Sequence, residues 1–137
     1  MMAEAFLRKA KESMTSRYSD PIRRNFAAYW ERITGYSAAG ISVDANTSVT
    51  IQELGRRRSS GELSRGYGDL AGICLRTALA DAMYPPGRGE KPPLILDDPF
   101  TNLDDEKTRG ALRFLNEIGE KYQILYLTCS ESRIGPE

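Results

Sequence analysis

The chain has 137 residues, with 19 basic and 19 acidic side chains and no histidine. That length allows one domain with one modest core, and zero formal net charge supplies no global field for nucleic acid. The missing imidazole excludes a His-based triad, a histidine general base and most zinc or iron sites. No apolar run approaches the roughly 18 residues needed to span a bilayer, so no membrane partner is expected. The N-terminus, M-M-A-E-A-F-L-R-K-A-K, lacks the apolar centre of a signal peptide, and the expected location is the cytoplasm. The two cysteines, Cys74 and Cys129, lack metal-ligand spacing. Buried free thiols are expected rather than a disulfide.

Residues 2–17 read as a first helix, with Ala3, Phe6, Leu7, Ala10 and Met14 on one face. With no partner segment of its own on the N-terminal side, it reads as the stump of a longer helix. Asp20-Pro21 fits an N-cap followed by proline at the first position of a second helix, residues 21–34. Its apolar set is Ile22, Phe26, Tyr29, Trp30 and Ile33, with Gly35 as C-cap. Trp30 is expected in the core.

From Ile41 the period changes to two. Ile41 and Val43 alternate with polar residues, Ala45-Asn46-Thr47 supplies a turn, and Val49, Ile51 and Leu54 continue a second strand. The pattern predicts an antiparallel hairpin. Residues 55–61 read as a polar, glycine-flanked loop. Within it, Arg56-Arg57-Arg58 is either a solvated loop or a contact for phosphate, DNA or a partner.

Residues 62–84 predict a long, well-buried helix carrying Leu70, Ile73, Cys74, Leu75, Ala78, Leu79, Ala82 and Met83. Pro85-Pro86-Gly87-Arg88-Gly89 is a break. A strand over Leu94-Ile95-Leu96 follows, then a helix over 104–121 burying Leu112, Leu115 and Ile118, then a strand over 123–128. Strand, helix and strand at this spacing predict a right-handed crossover with parallel strands. Residues 131–137 read as a tail.

The chemistry concentrates in Pro92 to Asp105, P-P-L-I-L-D-D-P-F-T-N-L-D-D. Asp97 and Asp98 stand at the C-terminal end of a parallel strand, where open α/β sheets bind ligands. An adjacent acid pair after an apolar strand is costly unless a cation shares the site. No third acid completes a cage, which favours magnesium carried in with a nucleotide. The second acid would then orient or deprotonate water. The alternative is a capped turn with solvated acids. A calcium loop fails, because the sixth position counted from Asp98 is Leu103 where glycine is required. A receiver-type phosphoacceptor fails for want of an acidic pair near the first strand and a lysine near the last. Ser64-Arg65-Gly66-Tyr67-Gly68 opens the long helix. It reads equally as an anion site, from backbone N–H groups and a hydroxyl, or as an ordinary N-cap.

In this order the two stretches resemble the C-terminal half of an ATP-binding cassette ATPase head. They are most similar to the SMC, RecN, RecF and YhaN-like group of DNA-repair and chromosome-maintenance ATPases. Leu63-Ser64-Arg65-Gly66-Tyr67 resembles the signature motif, Leu94-Ile95-Leu96-Asp97-Asp98-Pro99 resembles Walker B, and Asn102-Leu103-Asp104 resembles the D-loop. Residues 123–128 resemble the strand leading to the switch-histidine loop. The likeness covers residues 41–130.

The resemblance implies an α/β fold, the C-terminal lobe of a P-loop NTPase head. Its parallel strands and flanking helices would be preceded by a β-hairpin and N-terminal helices. Residues 1–35 would form the base of a coiled-coil arm, and residues 36–130 the lobe. Asp97 would hold Mg2+ through water, and Asp98 stands where the catalytic glutamate is usual. Ser64 and Gly66 would contact the γ-phosphate of an ATP held by the opposite head, beside Leu63, Arg65 and Tyr67. Asp104 would help join the two heads, and Asn102, Asp104 and Ser130 would stand among the nucleotide-binding residues.

Two departures qualify the likeness. Ser130, with Cys129 before it, takes the place of the switch histidine. No G-x-x-x-x-G-K-[ST] is present, so nothing in the chain cradles the β-phosphate. The expected partners are therefore a Walker A lobe, a second head and DNA. A non-catalytic dimerisation or regulatory module is the alternative function.

Overall fold

The computed structural model describes residues 2–44, 48–53, 56–59, 64–87 and 89–134. Helix α1 spans Met2–Thr34 without interruption, with Pro21 inside it. Two helices were expected here, and one is found. An interior proline forfeits the bond its missing N–H would make and crowds the carbonyl four residues back; the helix runs through it all the same, with the residues beyond it held by burial. The Asp20 carboxylate takes the Arg23 guanidinium instead of capping the backbone.

The second half of α1 buries Ile22, Phe26, Trp30 and Ile33, the stripe expected from the sequence, against helices α2 (Arg65–Met83) and α3 (Asp105–Gly119). In the first half, Phe6 and Leu7 are 74% and 67% exposed. Gly35, at φ 72°, ends the helix, its N–H bonded to the Glu31 carbonyl at 2.9 Å.

An antiparallel sheet follows. Strand β1 (Ile41–Val43) pairs with β2 (Val49–Glu53), with Val43 opposite Val49 and Ile41 opposite Ile51. A third strand, β3 (Arg56–Ser59), pairs with β2 and sets Ile51 opposite Arg58. It corrects the expected polar loop. A run of arginines has no period-two pattern, and the pairing comes from backbone bonds to a neighbour already formed. The expected turn at residues 45–47, together with Leu54, Gly55, Gly61 and Leu63, lies outside the described residues.

Helix α2 buries Leu70, Ile73, Cys74, Thr77 and Ala78, but Met83, expected inside, is 62% exposed. Strands β4 (Leu94–Asp97) and β5 (Ile124–Leu127) are parallel, as expected, with α3 as the crossover. Asp104 is the N-cap of α3, accepting the Lys107 N–H at 2.8 Å. The buried face of α3 is Thr108, Gly110, Ala111, Phe114, Leu115 and Ile118, and Leu112 is only half-buried. A Cβ on Gly110 would collide with the Ile33 carbonyl oxygen. Glycine is thus what lets α3 close on the last turn of α1.

Among the described residues the β4–β5 sheet is covered on one face only. Leu96 is buried, while Ile95, Leu125 and Leu127 are 58%, 45% and 54% exposed.

A polar junction joins four elements. The Asp81 carboxylate of α2 accepts from Lys91 Nζ at 2.6 Å, from the Tyr122 hydroxyl at 2.5 Å and from the Tyr29 hydroxyl. Lys91 lies just before β4 and Tyr122 just before β5, and Tyr29 belongs to α1. Burial raises the Asp81 pKa, but the bonds from Lys91 and the two tyrosines outweigh it and hold the carboxyl below its usual value. Burial and the same carboxylate push both tyrosine hydroxyls up.

Candidate functional site

Strand β4 delivers Asp97 to the edge of a cleft of about 410 Å³ between the turn that follows it and the first half of α2. Asp98, Asn102, Gly68, Asp69 and Arg76 share its walls. The turn is anchored from below by Phe100, fully buried and 5.4 Å from the Tyr126 ring, and by buried Leu103. The two stretches singled out in the sequence therefore meet. Asn102 Nδ2 donates to Asp69 Oδ2 at 2.9 Å. A Cβ on Gly66 would stand 2.5 Å from the Asn102 carbonyl oxygen.

Asp98 is the one described non-glycine residue at positive φ, 41°. That conformation is sparsely populated for side chains other than Asn and Asp. Its N–H bonds the Leu127 carbonyl at 2.7 Å, which holds it at the end of the strand pair. Its carboxylate accepts from Thr128 Oγ1 at 3.2 Å and from Cys129 Sγ at 3.1 Å. These bonds, the thiol's first, hold the carboxyl below its usual range, and the same contact pushes the Cys129 thiol up. Cys129 is exposed, not buried as expected; Cys74 is buried, and burial pushes its thiol up to about 12.

The remaining expected site residues are placed as follows. Ser64 is the exposed N-cap of α2, and its hydroxyl makes no capping bond; its carbonyl takes the Gly68 N–H at 3.0 Å. Arg65 is exposed. Gly66 is buried against the Asn102–Leu103 backbone. Tyr67 stacks on Trp30, with centroids 5.7 Å apart and planes at 29°, and Lys107 Nζ lies 5.3 Å from its ring centre. Gly66 and Tyr67 thus contribute packing to their own chain.

Asp104 is engaged with the backbone and ammonium of Lys107. The Lys107 side chain, then its backbone N–H, keeps the Asp104 carboxyl low. Ser130 donates its N–H to Thr128 Oγ1 at 3.2 Å.

Sequence reading missed Asp69, Arg76, Thr128 and Cys129. Residues 69, 72, 73 and 76 fall on one side of α2, so Arg76 was findable once Gly68 had been placed at the cleft. The Thr128 and Cys129 contacts carried no local signal.

Among the described residues no group of three or more acids or cysteines is arranged to hold a metal. Asp97 and Asp98 form no private cage; two carboxylates could hold only an ion that keeps most of its waters, as magnesium does.

No family model matches the sequence, and neither does any curated protein. Solved structures do match. One comes from work on ATP-driven dimerization and DNA-stimulated activation of SMC ATPases: 17% identical, TM-score 0.64, covering 90% of this chain and 75% of that one. A second is the Smc head domain of Pyrococcus furiosus with an extended coiled coil, bound to the C-terminal domain of ScpA. It is 14% identical, with TM-score 0.61, over 83% of this chain and 29% of that one. A third is the SMC head domain from Thermotoga maritima, 20% identical, with TM-score 0.58, over 91% and 43%. The chain thus spans less than half the length of two of these three structures.

Proposed function

We propose that this chain, whose fold is that of part of an SMC ATPase head, works as the C-terminal lobe of an ATP-binding cassette ATPase. The observation that carries this reading is the acid pair at the end of a parallel strand, sharing one cleft with the opening turns of α2. Asp97, exposed there, would hold magnesium, which when bound neutralises phosphate charge. Asp98, ionised and fixed at its carboxylate, would accept a proton from the attacking water. Ser64, with its hydroxyl outside any cap, would meet the nucleotide of a second head.

The lobe that cradles the β-phosphate would come from elsewhere. The exposed face of β4–β5 is a surface for it, since parallel sheets are ordinarily covered on both faces. ATP-driven clamping on DNA, in repair or chromosome maintenance in the cytoplasm, is the role proposed for the assembled heads. α1 would serve as the base of their coiled-coil arm.

A second reading, a non-catalytic dimerisation or regulatory module, draws on Tyr67 and Asp104, whose side chains are committed to their own chain. One experiment separates the two. The isolated chain binds ATP weakly or not at all in calorimetry, and gains binding and turnover with a lobe carrying G-x-x-x-x-G-K-[ST]. In that assembly Asp98→Asn lowers turnover by about 100-fold or more, as expected for loss of a general base, with binding retained. Tight ATP binding by the isolated chain overturns the split-site reading. Equal turnover by Asp98→Asn favours the module.

A further inference from the structure

The segment after β5 is strapped to the turn after β4. Thr128 Oγ1 and Cys129 Sγ donate to different oxygens of Asp98, Oδ1 at 3.2 Å and Oδ2 at 3.1 Å. Ser130 N–H in turn donates to Thr128 Oγ1 at 3.2 Å. This orients the threonine so that its own proton goes to the carboxylate. Three residues after Ser130, Arg133 Nη2 donates to the Thr101 carbonyl at 3.1 Å, and the Tyr126 hydroxyl donates to the Arg133 carbonyl at 3.1 Å. The turn closes on itself, Thr101 Oγ1 donating to the Asp98 carbonyl at 3.0 Å. Asp98 is thus gripped at N–H, carbonyl and both carboxylate oxygens.

We propose that Thr128 and Cys129 are positioning residues that hold the Asp98 carboxylate in the cleft, the part of the site where an imidazole is absent. Each carboxylate oxygen has two lone pairs, so one on each stays open to water. The donors fix direction without using up the acceptor. Fixing matters for an aspartate, whose side chain is short and whose backbone here sits at φ 41°. An error of about 1 Å in a catalytic group costs on the order of 100-fold in rate. Arg133 acts one step further out, keeping the strap on the turn.

The inference rests on the ATPase reading for its consequence, but the contact can be tested without turnover. The S–H stretch absorbs in an infrared window clear of other protein bands, and Cys129→Ser assigns the Cys129 band by deleting it. In Asp98→Asn that band moves to higher frequency, because an amide oxygen is a weaker acceptor, while the Cys74 band stays in place. An unmoved Cys129 band overturns the inference whatever the assembly does.

In the complemented assembly, Cys129→Ala and Thr128→Val each lower kcat on the order of tenfold, the value of one hydrogen bond to a charged group, with KM for ATP unchanged. Cys129→Ser and Thr128→Ser restore most of it. Equal kcat in the alanine and serine variants also overturns the positioning role. Absence of turnover in every assembly, with the band shift intact, overturns the ATPase reading and leaves the held carboxylate established.

Discussion

At Asp81 one carboxylate accepts from three side chains on three other segments: Tyr29, Lys91 and Tyr122. The Asp81 and Lys91 side chains are 18% and 17% exposed, so neither can simply return to water if its partner is lost. Asp81→Ala is expected to lower unfolding free energy by about 3 kcal/mol in denaturant titration, as for other shielded pairs broken on one side. Tyr122→Phe is expected to cost about 1 kcal/mol.

The pH dependence has a definite sign. The folded carboxyl lies below its ordinary value of 3.8. Its contribution is therefore fully present above that value and lost as pH falls through the lower folded pKa. Stability of the wild-type chain below about pH 4 should fall more steeply than that of Asp81→Asn, and acid titration of each by circular dichroism checks it. None of the four residues stands near another in sequence apart from Asp81 and Lys91, and no local pattern marks them as one junction.

Among elements, α1 departs furthest from local expectation. Asp-Pro is a sound helix-start signal, yet here the proline stands within the helix, at the loss of one bond and with crowding against the preceding turn. What holds the helix together beyond it is burial of Ile22, Phe26, Trp30 and Ile33, and each such side chain is worth roughly 1.5–3 kcal/mol when fully buried. The close approach of α1 and α3 depends on Gly110, whose missing Cβ makes room for the Ile33 carbonyl. Gly110→Ala gains helix propensity of about 1 kcal/mol but must separate two packed helices. A net loss of about 1–3 kcal/mol is expected, read as a lower thermal midpoint. An unchanged or raised midpoint would show that the helices separate freely there. By contrast α2, α3 and the parallel strands largely follow their sequence patterns, because period and breakers agree in each, and α3 adds a cap at Asp104.

For the whole molecule, the uneven coverage of the parallel sheet sets the question. Leu96 faces the core, while Ile95, Leu125 and Leu127 face out on the opposite side. If that face receives the phosphate-binding lobe, a charge placed on it should block assembly without harming the fold. Ile95→Lys and Leu127→Lys should leave the thermal midpoint of the isolated chain within a few degrees. They should also weaken co-elution with the complementing lobe by tenfold or more, on the order of 1.4 kcal/mol. Unimpaired co-elution would place the lobe elsewhere. The strap between residues 128–133 and the Asp98 turn lies at the C-terminal edge of the same two strands, so covering the face would also shield the acid pair.

The sequence by itself determined the strand–helix–strand unit, the helix start at Asp104, the long buried α2 and the acid pair at a strand end. Each is written in neighbouring residues, through hydrophobic period, proline breaks or a carboxylate within reach of the next turn. Only the tertiary structure decided that α1 is continuous, that Arg56–Ser59 is a strand, that Gly66 and Tyr67 pack inward, and that Thr128 and Cys129 hold Asp98. The strand at Arg56–Ser59 comes from backbone pairing with its neighbour β2, and the grip on Asp98 joins residues 30 or more apart in the chain; contacts of neither kind leave a periodic trace in sequence.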